Sequence, residues 1–86
     1  MGEFPRRLPA LEINPVADDG FMIYRPEQGR VHYLNHTAVF ILELCNGENS
    51  PARISGLVQA AYGLPTPPEQ EVCEMLAKLA EEGLVE

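Results

Sequence analysis

Apolar and polar positions follow two different rhythms along this chain. In the first part they alternate. Leu11, Ile13 and Pro15 interleave with Glu12, Asn14 and Val16, the period of a strand. Pro15 keeps that strand short or places it near its end. Ala17-Asp18-Asp19-Gly20 has turn chemistry, since Asp tolerates tight turns and Gly supplies positive φ. Phe21 to Tyr24 reads as a second strand, Pro26-Glu27-Gln28-Gly29 as a second turn, and Arg30 to Leu34 as a third strand. Two short turns joining three such runs predict an antiparallel meander.

The rhythm changes at Asn35, a residue suited to a helix N-cap. From His36 to Cys45 nearly every position is apolar, which predicts a helix buried on most sides. Asn46-Gly47 ends it, with Gly47 expected as a left-handed cap. Ser50 caps a second helix, and Pro51 sits at its first position, where the missing N–H costs nothing. Ile54, Leu57, Val58 and Ala61 fall on one stripe, and Gly63 stops the helix. Thr66, Pro67 and Glu69 read as a capping box for a third helix. Its expected core stripe is Val72, Leu76, Leu79 and Ala80. Gly83 ends it, and Leu84-Val85 are expected to fold back onto the core. The order β-β-β-α-α-α predicts an α+β domain with the helices on one face of a small sheet. Its edge strands stay open unless something pairs with them.

Length and charge narrow the functions. With 86 residues the chain makes one domain, residues 1–86, with no room for a catalytic cleft between two. Residues 1–7 are expected to lack structure, and Gly2-Glu3-Phe4 has the look of a cloning scar. The 13 acidic and 6 basic residues give a net charge of −7, which repels phosphate backbones. No apolar run reaches a membrane span, and no secretory signal opens the chain. The two cysteines, Cys45 and Cys73, are too few for a disulfide framework. Both are expected as buried free thiols of a reducing, cytoplasmic compartment.

Enzyme chemistry finds little support. There is no phosphate-binding glycine loop, no GxSxG and no CxxC. A zinc site would need His32, His36, Cys45 and Cys73. A strand-to-helix boundary separates the two histidines, so they share no helix face. The expected roles are an exposed strand histidine and a histidine at the start of a helix, with no metal or other cofactor. A Cys45–His36 nucleophile lacks an activating cation, and a thiol in apolar surroundings is inert. The pairs Glu81-Glu82 and Asp18-Asp19 suit a solvated face and a turn. No catalytic residue is assigned.

The segment from Tyr24 to Ala38, YRPEQGRVHYLNHTA, resembles the PqqD-like family, peptide-binding modules also called RiPP recognition elements. The resemblance rests on a strand, a Pro-Glu-x-Gly turn and a strand ending in Leu34-Asn35. Thr37-Ala38 and a helix ending at Asn46-Gly47 follow. Ile54, Leu57 and Tyr62 fit its second helix, and Val72, Leu76, Leu79 and Gly83-Leu84-Val85 its third. It spans about Leu8 to Val85. The resemblance implies a winged-helix-like fold and a non-catalytic adaptor or peptide chaperone of natural-product biosynthesis. Such a domain binds the leader of a ribosomally made precursor peptide and presents it to a tailoring enzyme, commonly a radical SAM protein.

An exposed edge strand offers unpaired N–H and C=O groups that an extended peptide completes. The expected binding residues are therefore Arg30, Val31, His32, Tyr33 and Leu34 on the strand leading into the first helix. Val72, Cys73, Met75 and Leu76 are expected on the third. Apolar positions of that helix spread over about 200° at ~100° per residue, more than packing on one sheet requires. The surplus is free to line a groove or to meet a second helix or a dimer mate. Two other functions fit the same elements. One is a small dimerisation or scaffold domain, and a homodimer is compatible with peptide binding. The other is a winged-helix DNA regulator. It is disfavoured because Arg53, Gln59, Gln70 and Lys78 face five glutamates on the third helix, and base reading needs the opposite balance.

Overall fold

A computed structural model describes residues 4–16 and 20–86. Three strands, β1 (Glu12–Val16), β2 (Gly20–Arg25) and β3 (Arg30–Asn35), precede three helices, α1 (His36–Leu44), α2 (Pro51–Tyr62) and α3 (Glu69–Glu81). The sheet is antiparallel with order β1-β2-β3, so the expected α+β meander is observed. The turn expected at Ala17-Asp18-Asp19 lies outside the described residues. The second turn is formed as read. Gln28 and Gly29 donate their N–H groups to the Arg25 carbonyl at 3.1 and 2.8 Å, and Gly29 takes φ 64°.

Register decides which side chains meet the helices. Ile23 stands opposite Ile13 on one side and His32 on the other, and Phe21 opposite Leu34. These residues share the inner face. Ile23 is fully buried and Leu34 nearly so. α1 lies at the centre and touches β2, β3, α2 and α3. Its Ala38, Val39, Ile41 and Leu42 are buried, as the dense apolar run required. Ile54 and Val58 of α2, Val72, Leu76 and Leu79 of α3, and Leu84-Val85 complete the core.

Two caps form as expected. The Asn35 side chain accepts from the Ala38 N–H at 2.8 Å, and the Ser50 hydroxyl accepts from that of Arg53 at 3.1 Å. Two others differ. α3 begins at Glu69 behind Pro68, with no side-chain cap, so the Thr66 capping box is not made. Pro67 precedes a second proline, and a residue before proline is driven out of helical backbone. α1 ends at Cys45 with φ −83°. Gly47 is left-handed, φ 83°, but sits beyond the cap and donates its N–H to Pro5. The Leu44 carbonyl is satisfied by the Asn46 N–H and by the Asn49 side chain.

Residues 5–8 pair with other parts of the fold. Arg7 donates its N–H to the Cys45 carbonyl at 2.7 Å, Leu8 donates to Leu84, and Arg6 and Glu86 exchange backbone hydrogen bonds. Residues 6–8 thereby line up against the chain's end, where Leu84 and Val85 are buried. Gly83 makes the reversal possible. It adopts φ 75°, and a Cβ there would collide with the Arg25 guanidinium.

Burial also corrects single residues. Ala61 and Ala80, expected on core stripes, are exposed, and Leu57 is half-buried. Cys45 is fully buried as expected, but Cys73 is exposed. Its position sits one step off the Val72-Leu76-Leu79 stripe, on the flank toward the start of α2.

Candidate peptide-binding site

β3 is an edge strand, because among the described residues the sheet has no neighbour beyond it. Antiparallel geometry turns the N–H and C=O of alternate residues toward β2 and those of the others outward. Its side chains divide between the faces. His32 and Leu34 point inward, whereas Val31 and Tyr33 stand on the helix-free face, 43% and 72% exposed. Arg30 is exposed at the hairpin end. β1 is the other edge, and Pro15 interrupts its donors.

His32 is not the exposed strand histidine the sequence suggested. Its side chain is only 10% exposed, and its Nδ1 lies 3.1 Å from Oε1 of Glu82, just past the end of α3. Its Nε2 is buried with no hydrogen-bond partner. His36 stands at the start of α1, its ring edge-on to Phe21 with centroids 5.0 Å apart.

Beside the other end of β3, a groove of about 400 Å³ opens between the helices. Asn35, Thr37 and Ile41 form one wall, Glu71, Val72 and Met75 another. Val58, Tyr62, Leu64 and Pro68 close the far side. The Tyr62 ring is held edge-on against Phe40, centroids 5.9 Å apart. The lining is mainly apolar, with Glu71 as its carboxylate. Among the described residues, no Cα of α3 approaches one of β3 within 8 Å. α3 runs back along β3, with Val72 and Met75 near Asn35 and the chain just past its C-terminal end near His32. The groove thus lies at the Asn35 end of β3, while the His32–Glu82 contact ties the middle of the strand to the chain past α3.

Of the nine expected residues, the structure brings Val72 and Met75 to the groove beside β3. Leu76 is buried in the core. Cys73 lies elsewhere, lining a separate hollow with Pro51, Ala52, Ser55 and Glu69. The groove's other lining residues, Asn35, Thr37, Ile41, Val58, Tyr62, Leu64, Pro68 and Glu71, were not among those expected. A signal existed for two of them, since Tyr62 and Leu64 are apolar residues around a helix-stopping glycine, off the buried stripe of α2.

The cysteines divide chemically. Cys45 donates its S–H to the Ile41 carbonyl at 3.3 Å, and burial pushes its thiol up to about 11, so it is poorly suited to act as a nucleophile. Among the described residues, no three His, Cys, Asp or Glu side chains converge as metal ligands. No helix there is long and apolar enough to cross a membrane. The exposed face of α3 carries Glu69, Glu71, Glu74 and Glu81 beside Lys78, a surface unsuited to a phosphate backbone.

No curated protein and no solved structure matches the chain. A family model described as coenzyme PQQ synthesis protein D (PqqD) matches residues 20–85, from the start of β2 to the penultimate residue. That span takes in β3, the groove and all three helices. Members of this family are accessory proteins that bind a precursor peptide and partner enzymes, and the chain belongs to the PqqD family.

Proposed function

We propose that this chain is a non-catalytic adaptor that binds the leader segment of a ribosomally made precursor peptide by strand addition to β3. It then presents the peptide to a tailoring enzyme, of which a radical SAM protein is the favoured class. The observation that carries this reading is the continuity of an unpaired, proline-free edge strand with an apolar groove at its Asn35 end.

Recognition divides between backbone and side chains. The outward N–H and C=O groups of β3 supply main-chain hydrogen bonds that tolerate sequence change, while the groove selects apolar side chains. An antiparallel peptide enters with its N-terminal part beside Asn35, Val72 and Met75, and leaves past Arg30. Its apolar anchor therefore precedes the segment delivered to the enzyme. Glu71 on the groove wall favours a basic residue near that anchor.

The experiment is an amide-shift titration of the labelled chain with its precursor peptide. Shifts are expected in residues 30–35 and around Val72 and Met75. Shifts confined to β1 or to the exposed side of α2 would overturn the placement.

A further inference from the structure

The helix-free face of the sheet presents a second set of side chains to anything that docks on β3. Val31 pairs with Tyr24 and Tyr33 with Met22. Met22 and Tyr24 are flanked on both sides, by Asn14 and Tyr33 and by Glu12 and Val31 respectively, and both are half-buried. Val31 and Tyr33 have one neighbour each. Their other side is the place of the missing strand, and they are the more exposed for it.

The two edges are not equivalent. β1 carries Pro15, which cannot donate, and shows Glu12 and Asn14 beside Val16 on this same face. Proline and charge are devices that keep an edge from pairing. β3 has no proline, and its helix-free face shows valine and tyrosine, residues that favour cross-strand packing. The protected edge and the unprotected one point to a single intended occupant: an added strand on β3.

We infer that Tyr33 and Val31 form a second recognition strip, reading the side chains of the docked peptide that point away from the groove. This inference rests on the strand-addition reading and adds a specificity to it. Successive residues of a strand face opposite sides, so groove and strip read alternate positions. The peptide recognised is then an extended segment apolar on both faces, with aromatic or β-branched residues opposite Tyr33 and Val31. A leader with charged or amide residues at those intervening positions is discriminated against.

The probe is a displayed library of random twelve-residue peptides, selected on the full chain and on Tyr33→Thr. The substitution keeps a strand-forming residue at an exposed site while removing the ring. Peptides selected on the unaltered chain are expected to be apolar at both parities, and those selected on Tyr33→Thr at one. A wild-type-selected peptide should bind Tyr33→Thr about three- to tenfold more weakly, as loss of one or two cross-strand pairs implies. Amides of residues 30–35 should shift in both proteins. Equal affinity for the two, with those amides still shifting, overturns the strip and leaves strand docking intact. Selected peptides that shift no amide in 30–35 overturn both. A concentration-dependent dimer in sedimentation, with those amides protected without peptide, makes a second copy the occupant and overturns the strip as a peptide reader.

Discussion

His32 on β3 and Glu82 just past the end of α3 stand 3.1 Å apart, Nδ1 to Oε1. The pair joins β3 to the chain just past α3, the helix that supplies Val72 and Met75 to the groove. Glu82→Ala is expected to cost about 1 kcal/mol, the scale of a single partly buried polar contact. Glu81→Ala, on the exposed flank, should stay within ~0.5 kcal/mol. Urea unfolding of the two variants compares them, and equal effects would remove the role given to Glu82.

The caps offer a sharper contrast. Ser50→Ala removes a real cap from α2 and should destabilise by about 1 kcal/mol. Thr66→Ala, at the capping box that does not form, should cost close to nothing. Thermal unfolding of the pair decides it, and a loss at Thr66 matching that at Ser50 would contradict the helix start at Glu69.

The core and the elements were legible because their signals are local. The alternation of β2, the dense apolar run after Asn35 and the Val72-Leu76-Leu79 stripe each declare one period. What was not legible depends on assembly. Pro68 cancelled a cap that Thr66, Pro67 and Glu69 spelled out, because one proline acts on the residue before it. The ordering of residues 6–8 depends on where the chain's end returns. At the candidate site, the edge position of β3 was readable, because it follows from strand order. The groove wall was only half readable: Val72 and Met75 lie on it, but Cys73 faces α2 and Leu76 is consumed by the core. Tyr62 and Pro68 reach the groove from α2 and the linker, a juxtaposition no helical spacing encodes.

The thiols should differ sharply. Cys73 should react with a thiol reagent in the folded protein, and Cys45 only after unfolding. Burial also holds the Cys45 thiol near 11 against the ordinary 9.0. The folded state then keeps its proton over that interval while the unfolded state releases it. Stability from this group is whole below pH 9 and falls as pH rises from about 9 to 11. The stability difference between the chain and Cys45→Ala should shrink over that range. Two thiols reacting at one rate in the folded chain would contradict the placement of Cys45.

At the groove, Met75→Glu puts a carboxylate on a half-buried wall beside Val72 and Glu71. Peptide affinity should fall about tenfold or more, since an apolar anchor would face an unpaired charge, while unfolding shows a smaller change. Cys73→Glu, on the α2 side, should leave affinity within about twofold. Calorimetric titration with a selected peptide separates them, and the reverse order would move the site to the other flank of α3.

Whether β3 accepts a strand is decided by amide hydrogen exchange. Exchange is measured residue by residue, with and without a selected peptide. Strand addition gives new protection at alternate amides within residues 30–35, those turned away from β2, with little change in Glu12–Val16. Protection confined to β1, or an unchanged β3 under saturating peptide, would contradict it.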